Sequence, residues 1–196
     1  MGSRFMTGAL IAVAIVAVLA ASSVFAEETE EMADKKMMMK KEVMEMPFGG
    51  EADVAFAKAL WTAMDEYSGW IMQSEIMPGK SPHGMYVRMY YSIVTIDGMA
   101  YHVVVKDNYG GEGVTLEMVK ERPGDYLIAV TPMLQREQGY DSDNNDWYWV
   151  KYGTDGSVAM NDTAMAMAGR VAKGMPMGCI ACHANAADGD YLFAND

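Results

Sequence analysis

The sequence predicts an α+β domain in which an antiparallel sheet is flanked by helices. Three observations predict it. One stretch of helical period begins near residue 53. Four segments dense in aromatic and β-branched residues follow, punctuated by glycine and short polar turns. Helical composition returns after residue 162. No internal repeat is present.

The chain opens on MGSRFMTGALIAVAIVAVLAASSVFAEETE. Arg4 supplies a short basic start, and Gly8 to Ala21 form an apolar run too short for a comfortable transmembrane helix. Val24-Phe25-Ala26 then offers the compact residues a signal peptidase reads. Residues 1–26 are therefore predicted to be a cleaved secretory signal peptide, an uncleaved anchor being the other reading. The mature chain is expected outside the cytoplasm, most simply in a bacterial periplasm. Cleavage removes one of 15 basic residues and none of the 27 acidic ones, so the net charge moves from −12 to −13. Such a surface repels nucleic acid and anionic lipid, excluding both as partners of the mature chain, and suits a basic protein partner. The remaining length fits one domain with a sizeable core.

Residues 27–50, EETEEMADKKMMMKKEVMEMPFGG, mix acid, lysine and methionine without a period. They read as an acidic, methionine-rich, disordered linker. The alternative is a thioether site for Cu(I) built from Met37, Met38, Met39, Met44 and Met46, but methionine is abundant throughout the chain, 21 in all. Residues 51–196 form the predicted domain. DVAFAKALWTAMDEY sets Val54, Ala57, Leu60, Trp61 and Met64 at helical spacing behind an acidic start. HGMYVRMYYSIVTI, AYHVVVKDNYGG, DYLIAVTPMLQR and DWYWVKY are strand candidates, and EQGYDSDNND is a turn-rich connection. DTAMAMAGRVAKGMPMGCIACH returns to helical composition.

That last segment delivers Cys179 and Cys182, the two cysteines of the sequence, three apart with His183 directly behind them. A disulfide or a thioredoxin-like redox pair could use the thiols, but that pair sits at the start of a helix after an early strand. Zinc needs two more soft ligands, and only His83 and His102 remain. Covalent haem employs all three residues. Cysteines one turn apart add to the two vinyl groups on one porphyrin edge, and His183 lies beneath the ring and offers its imidazole to the iron. The expected cofactor is one covalently bound haem c.

Small c-type cytochromes ordinarily attach haem near the N-terminus of an all-helical fold. Attachment far along a β-sheet domain resembles the cytochrome P-460 and cytochrome c′-beta family, from about Trp61 to Phe193. The likeness is carried by WTAMDEYSGW, SPHGMYVRMYY, VVVKDNY, GYDSDNNDWYWVKYGTDGSV and GCIACHANAADGDYLFAND. The resemblance implies a haem held against a strongly curved antiparallel sheet, in a homodimer, with His183 as proximal ligand. It also implies a distal side open to small nitrogen-oxide ligands. Lys106 matches the lysine that hydroxylamine-oxidising members bond covalently to the porphyrin edge, so the resemblance implies a haem cross-link there. Taken by itself, a lysine after three valines packs its stem on apolar surface and sends its amine to water.

Three functions are left open: a haem enzyme oxidising hydroxylamine, a non-catalytic binder of nitric oxide or carbon monoxide, and a simple electron carrier. Oxidation needs a base, which active members resemble one another in supplying as a distal carboxylate. None can be assigned in this sequence, because AKGMPMG offers none and Asp107, Glu112 and Glu117 are expected in or beyond a turn. His102 is expected to be a satisfied sheet histidine, with a distal donor or sixth ligand as the alternative. His83, between Pro82 and Gly84, reads as a turn residue. Arg88 is a candidate partner for a haem propionate. Trp147, Tyr148 and Trp149 read as core and sheet surface.

Overall fold

The computed structural model describes residues 32, 35, 36, 48–187 and 189–193. The signal segment 1–26 and the methionines 37, 38, 39, 44 and 46 lie outside the described residues. The chain divides into two units, Met1–Glu45 and Met46–Asp196. In the first, Met32, Lys35 and Lys36 are helical. In the second, packing begins at Phe48, which is buried, three residues ahead of the domain boundary read from the sequence.

Helix α1 (Glu51–Ala63) carries Glu51 and Asp53 in its first turn, where negative charge complements the helix dipole. The Asp53 carboxylate accepts a hydrogen bond from the Gly49 N–H. The apolar period buries Ala57 and Leu60. The strands are β1 (Met77–Pro78), β2 (Tyr86–Ile96), β3 (Met99–Tyr109), β4 (Leu127–Gln135), β5 (Trp147–Val150) and β6 (Ala168–Gly169). They form one six-stranded sheet in the order β1-β2-β3-β4-β5-β6, with every neighbouring pair antiparallel. Asp97 and Gly98, both at positive φ, join β2 to β3; an Asp-Gly pair provides the twist that matches two antiparallel strands. Short helices α2 (Leu116–Glu121) and α3 (Pro123–Tyr126) join β3 to β4, and α4 (Cys179–His183) carries the cysteines.

Two features depart from the sequence reading. The edge strands β1 and β6 have two residues each, too few to leave an alternation. The segment 162–183, expected to be helical, is mostly turns, with β6 within it and α4 at its end. Its alanines and methionines favour helix, but Gly169, Gly174 and Gly178 all take positive φ, which a right-handed helix excludes.

Alternation along the strands gives the sheet two different faces. Tyr90, Val103, Val105, Val130, Leu134 and Tyr148 pack against Ala57, Leu60 and Met64 of the α1 region. The other face collects Phe48, Met133, Trp147, Trp149, Ile180 and Tyr191. The register shift at Asn108 and Tyr109 bends β3. Asp107 therefore lies in a strand, and not in a turn, on the α1 side of the sheet. Its buried carboxylate accepts from the hydroxyls of Tyr67 at 2.6 Å, Tyr109 at 2.8 Å and Tyr90 at 3.2 Å. Burial raises its pKa, and the three hydroxyls oppose that rise. Asp107→Ala should leave three donors without an acceptor and cost about 2–4 kcal/mol, measured by urea unfolding. A loss below about 0.5 kcal/mol would contradict this account. Among the described residues no helix is long and apolar enough to cross a membrane.

Candidate functional site

The face opposite α1 encloses a cavity of about 530 Å³, within the range of sites for small molecules and cofactors. Its walls come from three regions. The sheet contributes Val104 and Lys106 of β3, Thr131 and Met133 of β4, and Trp149 of β5. His83 enters from the loop between β1 and β2, and the C-terminal segment contributes Cys179, Cys182, His183 and Phe193. The four residues that the sequence singles out most strongly, Lys106, Cys179, Cys182 and His183, thus share one cavity.

Gly178 makes the cysteine turn possible. It caps α4 at φ 131°, and a Cβ there would lie 2.2 Å from the Ala172 Cβ. Any side chain would have to displace packed neighbours. The following single turn presents Cys179 and Cys182 on one side, with Cys179 half-buried and Cys182 exposed. The thiols are free, so the disulfide reading is not realised. Burial pushes the Cys179 thiol up to about 11, keeping it protonated at neutral pH.

His183 is buried, and its Nδ1 lies 2.7 Å from the Tyr191 carbonyl. A carbonyl only accepts, so Nδ1 carries the proton and Nε2 keeps its lone pair, as in a metal-ligating histidine. Burial lowers the His183 pKa, favouring the neutral ring. Trp149 and Phe193 pack around it with ring centres at 4.7 and 5.2 Å. The carbonyl is itself held in place. The Trp147 indole donates to Asp190 O at 3.0 Å, Asn145 Nδ2 donates to Gly189 O at 3.0 Å, and the Tyr191 hydroxyl donates to Asn144 Oδ1 at 3.2 Å.

His83 sits in a turn, as read from the sequence, its N–H donating to Lys80 O at 2.8 Å, and it also lines the cavity. Its Nδ1 lies 2.9 Å from Asn108 Oδ1. The orientation of that amide is fixed, because Asn108 Nδ2 donates to Lys106 O, Ala129 O and Thr131 Oγ1, each at 3.0 Å. The Asn108 oxygen accepts, so Nδ1 of His83 carries the proton and its Nε2 is also free. Burial, with Lys106 second, pushes the His83 pKa down to about 4. Gly84 seats the loop: it has φ 84°, and a Cβ would fall 2.5 Å from the Tyr109 carbonyl oxygen.

Lys106 lines the cavity, and burial lowers the pKa of its amine. Lys151 is a second cation on the wall. Among the described residues no carboxylate lines the cavity. Asp107 is excluded by strand parity, and Glu112 and Glu117 lie elsewhere. Arg88 pairs in register with Asp107 and is not a cavity residue, so the structure gives no support to the propionate role expected for it. His102 is exposed and borders a separate depression with Tyr91, Trp147 and Leu192. Trp149 leaves its indole N–H buried without a partner.

These residues fit a haem. Apolar walls suit the macrocycle, two lysines and no carboxylate suit its acid groups, and the cysteine pair stands beside an imidazole with a free nitrogen. A tetrahedral zinc site fits less well. Among the described residues no three His, Cys, Asp or Glu side chains gather as a metal cluster. Sequence reading passed over Asn108 and Lys151 and gave His83 no part in the site; the contact between His83 and Asn108 spans 25 residues and leaves no local signal. No family model matches the chain, and neither a curated protein nor a solved structure matches it.

Proposed function

We propose that this chain is an exported mono-haem c-type cytochrome of the cytochrome P-460 type, binding small nitrogen-oxide ligands at its haem. One observation carries the reading: the Cys179–Cys182–His183 turn opens on an apolar cavity, with Nδ1 of His183 tied to the Tyr191 carbonyl and Nε2 left free. When bound, the haem supplies an iron centre for small diatomic ligands and one-electron chemistry. The protein residues do the rest. Cys179 and Cys182 would anchor the group through their sulfurs, and His183 would offer its free Nε2 to the iron. Val104 and Met133 keep water out, while Lys106 and Lys151 attract the acid groups. In this reading the amine of Lys106, which lines the cavity, would stand at the porphyrin edge, the place of the cross-link that the resemblance implies.

The wall composition favours binding over turnover. A base positioned for hydroxylamine is worth about 10²–10⁴ in rate, and the described cavity offers no carboxylate to serve as one. His83, with a pKa of about 4, is a weak proton acceptor. Hydroxylamine oxidation is the second reading, favoured by the amine of Lys106 in the cavity. The acidic net charge supports a basic redox partner, and a periplasmic homodimer remains part of the proposal. Anaerobic titration of the ferrous protein with nitric oxide should shift its visible spectrum to saturation. Hydroxylamine with an artificial electron acceptor should turn over slowly. Absence of any response to nitric oxide would overturn the binding reading, and fast turnover would establish the oxidase.

A further inference from the structure

We infer that the turn 141–146, with Trp147 behind it, is a positioning device for the axial histidine. It grips the chain on both sides of α4 and sets the donor strength of His183. The inference rests on the haem reading above and assigns a role to residues that do not line the cavity. Its starting point is an outlier in the backbone. Tyr191, whose carbonyl meets Nδ1 of His183 at 2.7 Å, takes a left-handed conformation at φ 67°. Bulky side chains rarely adopt that region. Such a residue persists only where its surroundings over-determine it, and outliers of this kind gather at functional sites.

The surroundings of Tyr191 form one connected set. The Trp147 indole holds Asp190 O and the Asn145 amide holds Gly189 O, so the two residues ahead of Tyr191 are fixed. The Tyr191 hydroxyl donates to Asn144 Oδ1. That amide has a defined orientation, because its Nδ2 donates to the buried Asp141 carboxylate at 2.9 Å. The turn also closes on itself. The N–H groups of Asn144 and Asp146 donate to Asp141 O at 2.8 and 3.0 Å, and Asp141 N–H donates to Asp146 Oδ1 at 2.7 Å. Its other limb reaches the segment ahead of the cysteines, where Lys173 pairs with the same Asp141 carboxylate. Lys173 before α4 and Tyr191 behind it are thus tied to one compact turn. An acceptor on Nδ1–H orients an imidazole and raises its basicity toward a metal. Here that acceptor is a neutral carbonyl, and it stays on Nδ1 because the clamp keeps residue 191 in a conformation it would otherwise leave.

The test uses purified ferrous holoprotein and reads the iron–imidazole stretching band by resonance Raman, with the reduction potential as a second readout. Trp147→Phe and Tyr191→Phe each keep an aromatic ring and remove one donor. In both, the band should broaden and move to lower frequency as the carbonyl leaves Nδ1–H. The weaker imidazole should favour ferric over ferrous iron about tenfold less, a rise in potential of about 59 mV for one electron. Lys173→Met should move the band in the same direction, and Lys173→Arg, which keeps the ion pair, should not. Haem should stay covalently bound in every variant. A band and potential unmoved in Trp147→Phe and Tyr191→Phe, or a band moved equally by Lys173→Met and Lys173→Arg, would overturn the inference while leaving the haem reading intact. Should the aromatic variants not fold, Asn145→Gly serves instead. Glycine keeps the left-handed backbone of residue 145, at φ 54°, without strain, so only the amide donor is lost. A downward shift of the band then supports the clamp, and an unmoved band overturns it. Wild-type protein without covalent haem would overturn both readings.

Discussion

Replacing Cys179 and Cys182 together by alanine is expected to abolish covalent haem attachment completely while leaving the domain folded. The two parts of that outcome have separate causes. Each thioether needs a sulfur, and these are the only cysteines of the sequence, so no other thiol can substitute. The fold, in contrast, asks little of them. Cys182 is exposed, Cys179 is half-buried, and alanine is the best helix former for so short a turn. Circular dichroism of the double variant should match that of the wild-type chain produced in a host that does not attach haem. Haem-stained denaturing gels should show no band. A stained band that persists when Lys106→Leu is added to the double variant would place the attachment elsewhere and remove the central reason for reading this segment as a haem site.

The second large effect is expected at Lys106. This residue lies in the cavity wall, in register with Met89 of β2 and Thr131 of β4. Burial lowers its pKa, which raises the share of neutral, nucleophilic amine. A bond from that nitrogen to the porphyrin edge perturbs the ring electronics, so the wild-type Soret band should lie far to the red of an ordinary c-type haem. The intact mass should also fall short of chain plus haem by the hydrogens lost. Lys106→Leu should return the spectrum to the ordinary position and abolish residual hydroxylamine oxidation, with attachment through Cys179 and Cys182 retained. Leucine keeps the apolar stem contacts, so folding should be little changed. A spectrum and mass insensitive to Lys106→Leu would mean that no cross-link forms. The chain would then be a plain ligand-binding haem c protein.

Local features were legible in the sequence and long-range ones were not. Val54, Ala57 and Leu60 announced α1 because helical period is a property of a dozen consecutive residues. The runs around β2, β3, β4 and β5 were visible for the same reason, and the cysteine pair with His183 is a local motif. Segment 162–183 misled because alanine and methionine favour helix residue by residue; the backbone requirements of Gly169, Gly174 and Gly178 outweigh that preference. Asp107 was misplaced because DNYGG resembles a turn, yet adjacency to Lys106 on a strand already forces the two side chains to opposite faces. The partnership of His83 with Asn108 was hidden, because it arises from the packing of a loop against a sheet.

Extraction with acidified acetone tests the central claim most directly, since it separates covalent from non-covalent haem in the unmutated protein. Protein purified from a host that matures c-type cytochromes should keep its colour in the precipitate, and its intact mass should exceed that of the chain by one haem. The expected result is a single haem that resists extraction. Colour passing wholly into the acetone, with a mass equal to the bare polypeptide, would contradict the account.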